Sequence, residues 1–167
     1  MQLTNEFVID TDADTAWNVL TDLAAYPRWW PSKLDVQVLH EQAGLIGSEF
    51  EVRPWMGRAF RCRFEELNKP HGMRLRFFGG ALEGPGGFLI QPAETGSGTA
   101  VRYEIDVFAR GRDVALLSRI LPLQQIHASQ MRSLLQSLAK RLRNLERENL
   151  RMAEESVVFK LPRTLVA

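Results

Sequence analysis

Six segments between residues 34 and 108 alternate apolar and polar side chains, and this pattern constrains the fold more than any other feature of the chain. A period of two is typical of strands that bury one face. Because only short connections separate consecutive segments, whereas a parallel neighbour needs a long crossover, the strands are predicted to be antiparallel. One face of such a sheet is apolar and needs a cover. The segments are 34–39, 48–53, 59–67, 73–78, 88–92 and 99–108.

The cover is predicted to be a long helix near the C-terminal end of the sequence. From Gln124 onward, apolar residues recur at steps of three and four along a stripe from Ile126 to Leu145. A helix over 124–150 would be about 40 Å long, which is enough to cross a small domain. A shorter helix is expected over Arg112–Ile120, because Pro122 interrupts the pattern after it.

The N-terminal part is predicted to add one strand and two short helices. Leu3–Ile9 alternates as a first strand. Asp12 then offers a carboxylate to the free amides of a helical turn, and Pro27 and Pro31 interrupt the helical stretch that follows. The complete prediction is an α+β fold. A curved antiparallel sheet of about seven strands wraps around the long C-terminal helix, with two short helices between strands 1 and 2.

Composition excludes several classes of protein. The chain of 167 residues fits one domain, and its net charge of +1 gives no global attraction to nucleic acid. Its single cysteine, Cys62, cannot form an internal disulfide, and its three histidines show no metal-ligand spacing, so no metal or cofactor is predicted. It has neither a signal-peptide pattern nor an apolar run near the roughly 20 residues that span a bilayer. We therefore expect a soluble cytoplasmic protein without an integral membrane segment.

Two motifs in the helical pair carry a resemblance to a known family. Residues 14–22 read DTAWNVLTD, and residues 26–31 read YPRWWP. Together with the order of elements they resemble the START-like, or SRPBCC, superfamily, which includes polyketide cyclase/dehydrase-like proteins and lipid-transfer domains. The resemblance covers about 1–150 and leaves 151–167 as a C-terminal extension. It implies a helix-grip fold with a cavity between sheet and helix that binds a hydrophobic small molecule or a lipid.

Side chains that alternate inward on the predicted strands are candidates for the wall of an apolar pocket. A filled core is the alternative interpretation of the same pattern. His127 is a candidate polar pocket residue or general base, although a lone histidine is more often structural. Trp30 and Trp55 lie in predicted loops and are candidates for a cavity mouth. The candidate ligand-binding residues are Phe60, Cys62, Phe64, Met73, Leu75, Phe77, Tyr103, Ile105, His127, Met131, Trp30 and Trp55, and none is predicted to be catalytic.

Two further patterns receive structural interpretations. The strand arginines are expected to pair with acids on the solvated face of the sheet, and an inward basic patch is the less favoured alternative. The glycine-rich run Gly79–Gly87 lacks the ending of a phosphate-binding loop. We predict a flexible strand edge or a mobile pocket gate there. The arginines are Arg61, Arg63, Arg74, Arg76 and Arg102, and the acids are Glu49, Glu51, Glu65, Glu104 and Asp106.

Three functions fit these patterns. The favoured one is binding of a hydrophobic small molecule or lipid without covalent catalysis. The second is an enzyme of the aromatase/cyclase type, in which Tyr103, His127 or an inward arginine would polarise carbonyl groups. The third is an interaction module that forms a homodimer through the apolar tail from Val157 to Val166.

Overall fold

A seven-stranded antiparallel sheet forms the body of the molecule, as predicted. The computed structural model describes residues 2–55, 58–80, 82–94, 96–110 and 123–158. The strand order is β1-β7-β6-β5-β4-β3-β2, so the first strand returns to pair with the last long one, and a short eighth strand pairs with β6. The strands are β1 (Gln2–Ile9), β2 (Leu34–His40), β3 (Glu49–Pro54), β4 (Phe60–Asn68), β5 (Gly72–Phe78), β6 (Leu82–Pro92), β7 (Thr99–Asp106) and β8 (Phe108–Ala109).

The two faces of the sheet differ as the alternation predicts. On the concave face, Cys62 of β4 lies between Phe50 of β3 and Phe77 of β5, and all three are buried. On the outer face, the strand arginines are exposed or half-exposed. They form ion pairs such as Arg63 with Glu49 at 2.5 Å and Arg102 with Glu6 at 2.8 Å. Exposed pairs of this kind contribute little to stability, so burial of the concave face dominates the packing.

Two short helices follow β1: α1 (Ala13–Thr21) and α2 (Tyr26–Trp29), with a 3-10 turn over Leu23–Ala25 between them. The Asp12 carboxylate caps α1 by accepting hydrogen bonds from the backbone N–H of Thr15 at 2.8 Å and from its hydroxyl at 2.7 Å. The same hydrogen bonds lower the pKa of Asp12. The sequence prediction of an acidic N-cap is confirmed.

Tyr26 joins the helical pair to the sheet. Its buried hydroxyl donates a hydrogen bond to the carbonyl oxygen of Leu20, and its ring meets Trp29 edge-on at 5.5 Å. On other sides the ring stacks on Trp30 at 5.2 Å and meets Phe50 of β3 edge-on at 5.3 Å. Trp29 is therefore an anchor of the turn in the core.

The long helix α3 (Leu123–Val158) covers the concave face and has 36 residues, which corresponds to about 54 Å. It is longer than the predicted 124–150, because no glycine or proline interrupts residues 123–158. Its buried stripe begins at His127, whereas the expected first position, Ile126, is only half-buried. No described helix is long and apolar enough to cross a membrane. The other buried side chains of the stripe are Met131, Leu134, Leu135, Leu138, Ala139 and Leu142.

Some predicted segments cannot be compared with the structure. The short helix expected over 112–120, and the tail beyond residue 158, lie outside the described residues. The division into a domain of 1–150 and an extension of 151–167 stays a prediction, although α3 continues unbroken across residue 150.

The part of the glycine-rich run from Gly84 to Gly87 lies inside the sheet, so the prediction of a flexible strand edge is wrong there. Residues 82–92 form β6, which pairs with β5 on one side and with β7 on the other. A strand hydrogen-bonded on both sides is also unsuited to act as a gate. At Gly86, an added Cβ would lie 2.5 Å from the Phe77 ring and 2.7 Å from the Ile105 side chain. Glycine at this position therefore lets the side chains of two neighbouring strands approach each other over β6.

We predict that Gly86→Ala lowers the free energy of unfolding by about 1–3 kcal/mol, because the new methyl group would displace buried side chains. Urea denaturation provides the measurement. Leu89→Ala is the matched control, since Leu89 lies on the same strand and is 37% exposed. If Gly86→Ala is as stable as the parent, the close approach over β6 does not exist.

Candidate functional site

The concave face beneath α3 collects the apolar residues that the sequence singled out. The eight strand residues among the candidates and Met131 are all buried. Aromatic contacts connect them across strands, for example Phe60 with Phe77 at 5.7 Å. Phe88 and Ile90 of β6 are equally buried but were not among the candidates, although they alternate on the predicted strand 88–92. The role of these residues in ligand binding stays a prediction.

Tyr103 and His127 form a polar pair within this apolar surface. Tyr103 of β7 packs against Phe88 at 5.1 Å, and its ring lies 6.3 Å from the imidazole of His127 on α3. His127 is only 6% exposed, and its Nε2 atom has no hydrogen-bond partner. Burial lowers the pKa of His127 to about 4 and raises the pKa of Tyr103 well above its usual value. Both side chains are therefore uncharged near neutral pH.

Asn5 completes this polar group and was not among the candidates predicted from the sequence. In β1, the half-buried or buried residues Leu3, Asn5, Phe7 and Ile9 alternate with exposed ones, so Asn5 shares the inner face. It lies directly opposite Tyr103 in the β1–β7 pairing. Its Nδ2 atom is buried and has no hydrogen-bond partner. An asparagine at an inward position of an otherwise apolar strand was the available signal.

The polar group carries no formal charge. Besides the two buried tyrosines, the buried polar side chains of the described residues are Ser48, Thr99 and His127, and no Asp, Glu, Lys or Arg is buried there. The alternative in which strand arginines point inward is wrong, because Arg61, Arg63, Arg74 and Arg76 are exposed and Arg102 pairs with Glu6 outside. The alternation of β4, β5 and β7 explains this outcome, since each arginine is adjacent to a buried residue. The described part of the concave face is thus suited to an uncharged molecule.

The two remaining sequence candidates, and Cys62, occupy different surroundings. Trp30 is half-buried, stacks on Tyr26, and has an Nε1 atom without a hydrogen-bond partner. Trp55 follows β3 and is 77% exposed. Cys62 is fully buried, and burial raises the pKa of its thiol, so it is a poor nucleophile. Among the described residues, no three His, Cys, Asp or Glu side chains converge to hold a metal ion.

The surface also carries an open groove between the start of α1 and the exposed end of α3. It has a volume of about 760 Å³ and is bordered by Asp12, Thr99, Glu146 and Leu150, among others. The Asp12 carboxylate is already used as the cap of α1. Tyr103 and His127 do not border this groove, so its size alone does not make it the functional site.

Protonation of His127 should weaken the fold. Its pKa is about 4 in the folded state and near 6.5 when unfolded, so its contribution is complete above pH 6.5 and declines as the pH falls towards 4. Between about pH 7 and about pH 4.5 we expect the parent to lose about 2–3 kcal/mol more unfolding free energy than His127→Phe. Urea denaturation at both pH values measures this difference. The exposed His40 provides the control: His40→Gln should behave as the parent, and an equal effect of both substitutions would contradict the burial of His127.

Comparison with known proteins agrees with the fold. A START superfamily protein from Mycobacterium smegmatis superposes with a TM-score of 0.67 at 15% identity, over 86% of this chain and 98% of the other. A protein of Thermus thermophilus superposes with a TM-score of 0.66 at 20% identity, over 87% of this chain and 99% of the other. The Zhui aromatase/cyclase from Streptomyces sp. R1128 superposes with a TM-score of 0.65 at 14% identity, over 86% of this chain and 93% of the other. The helix-grip fold is thereby shown.

A sequence search among curated proteins finds no significant match. The sequence profile described as "Polyketide cyclase / dehydrase and lipid transport" matches residues 1–144, which is most of the chain and includes every strand and both motifs of the helical pair. The resemblance predicted from the sequence is confirmed, and the chain belongs to the polyketide cyclase/dehydrase and lipid-transport family.

Proposed function

We propose that the protein binds a hydrophobic small molecule or lipid between the concave face of the sheet and α3. The observation that carries the proposal is that Asn5 Nδ2 and His127 Nε2 are buried without partners on an otherwise apolar face. A filled core pairs most of its buried polar atoms, because each unpaired donor or acceptor costs about 1–3 kcal/mol. Trp29 Nε1, in the packed aromatic cluster around Tyr26, is an exception outside the surface beneath α3. Unpaired atoms on this face therefore favour a binding site over the filled-core alternative.

The surrounding residues suit an apolar ligand. Phe88, Tyr103 and Met131 are buried near His127 and combine aromatic surface with a flexible thioether side chain. Such side chains adapt to ligands of different shape. The family description, which includes lipid transport as well as cyclases, supports the same class of ligand.

Binding without covalent chemistry is favoured over catalysis. A general base works best when its pKa lies near the working pH, and the pKa of His127 is about 4. Tyr103, with a raised pKa, is a weak acid, and Cys62 is held as a thiol. These groups are suited to donating and accepting hydrogen bonds, and less suited to moving protons.

We expect the protein to retain a hydrophobic molecule from a total lipid extract, observed as an added mass by native mass spectrometry. Met131→Trp should reduce the bound fraction about tenfold, because the larger side chain would occupy the proposed site beneath α3. The exposed Gln136 on the same helix gives the matched control, Gln136→Trp. A parent protein that stays empty, or equal binding by both variants, would contradict a site beneath α3. Thermal unfolding of both variants verifies that they are folded.

An aromatase/cyclase activity is the second candidate, and the Tyr103–His127 pair is the observation that favours it. In such a reaction a base removes a proton from the carbon between two ketones. The resulting enolate attacks a third carbonyl group, and the proton passes to the new alkoxide. His127→Phe would abolish this activity, whereas His40→Gln would retain it.

Incubation with a synthetic poly-β-ketone thioester, followed by chromatography of the products, tests the second candidate. We expect no acceleration over the uncatalysed reaction, in accordance with the low pKa of His127. Acceleration that depends on His127 would replace the binding proposal with the enzymatic one.

A further inference from the structure

The polar atoms beneath α3 restrict the chemistry of the bound molecule. Asn5 Nδ2 is a hydrogen-bond donor and needs an acceptor. His127 Nε2 needs either a donor or an acceptor, depending on which ring nitrogen carries the proton. Tyr103 is paired with Asn5 and has its ring 6.3 Å from that of His127, and its phenol can both donate and accept. A ligand oxygen can satisfy this combination, since it accepts hydrogen bonds and, as a hydroxyl, also donates one.

Strand pairing and the distance between the two rings place the three residues next to one another. Asn5 and Tyr103 are directly opposed on neighbouring strands, where side chains on the same face lie about 5 Å apart. The Tyr103 ring is 6.3 Å from the His127 ring on the helix above. The group therefore reaches from the β1–β7 pair of the sheet to α3.

The charge of the ligand group that carries the oxygen determines whether it fits this site. A carboxylate or phosphate would be desolvated without a counter-ion, because none of the buried residues in the described ranges is basic. The free-energy cost of desolvating the charged group would exceed the free energy gained from hydrogen bonds to neutral groups. A ketone or hydroxyl oxygen can accept the Asn5 donor without this penalty.

We propose that Asn5, Tyr103 and His127 form a binding site for an uncharged ketone or hydroxyl oxygen of an otherwise apolar ligand. This proposal rests on the proposed function, since it specifies the ligand of the same site. It selects neutral oxygenated molecules, such as cyclic ketones and alcohols, over fatty acids and phospholipids.

Four probes with one ring system test the selection: naphthalene, naphthol, acetylnaphthalene and naphthoate. Calorimetric titration of the parent should show acetylnaphthalene and naphthol binding about five- to tenfold more tightly than naphthalene, as one net hydrogen bond allows. Naphthoate should bind at least tenfold more weakly than acetylnaphthalene. Comparison of acetylnaphthalene with naphthol distinguishes a ligand oxygen that only accepts hydrogen bonds from one that also donates.

Two variants test whether Asn5 and His127 cause the preference for oxygen-bearing probes over naphthalene. Asn5→Leu keeps the side-chain volume and removes the donor, so the advantage of acetylnaphthalene over naphthalene should fall to twofold or less while naphthalene binding is retained. His127→Phe should reduce the advantage of naphthol in the same way. Asn144→Leu changes an exposed asparagine of α3 and should leave every ratio unchanged. Asn5→Leu should also melt at or above the parent temperature, because an unpaired buried amide is removed.

Nuclear magnetic resonance gives a readout that a structural role would not change. In ¹⁵N-labelled protein, the Asn5 side-chain amide resonances should shift with acetylnaphthalene and remain in place with naphthalene at equal occupancy. Unchanged ratios in Asn5→Leu and His127→Phe, or tightest binding of naphthoate, would overturn the oxygen site and leave the proposed function standing. Failure of all four probes to bind the parent would overturn both.

Discussion

Burial of the α3 stripe against the concave face of the sheet is the interaction on which the rest of the structure depends. The sheet presents a continuous apolar surface on one side, and α3 buries Leu134, Leu138 and Leu142 on it. Each such leucine gains about 1.5–3 kcal/mol on burial, far more than an exposed ion pair of the outer face. The aromatic contacts of Tyr26 with Trp29, Trp30 and Phe50 then fix the helical pair against β3, which closes the other side of the core.

Patterns with a strong physical cause were predictable from the sequence. The alternation in β4 and β5 identified strands, buried faces and outward arginines, because a period of two leaves little freedom. The full extent of β6 was not predictable from local propensity, because glycine weakens a strand and signals a turn. At Gly86 the reason for glycine is the approach of Phe77 and Ile105, which come from neighbouring strands that only the tertiary structure brings together.

The candidate site was likewise predictable from the sequence only in part. His127 was identified because it lies next to a regular apolar stripe, and the structure places it within that stripe. Its proximity to Tyr103, and that of Tyr103 to Asn5, depend on the pairing of β1 with β7. These strands are separated by about ninety residues, so no local pattern could connect them. Unpaired buried polar atoms reduce stability, and their presence on the surface under α3 is the reason to regard it as a binding site.

The position of a bound molecule tests this account most directly. With acetylnaphthalene bound to the labelled protein, intermolecular nuclear Overhauser effects should connect the naphthalene ring with the Met131 methyl group and the Tyr103 ring protons. Contacts with the exposed side chains of Leu89 or Val8, on the outer face of the sheet, would place the ligand elsewhere and contradict a site between the sheet and α3.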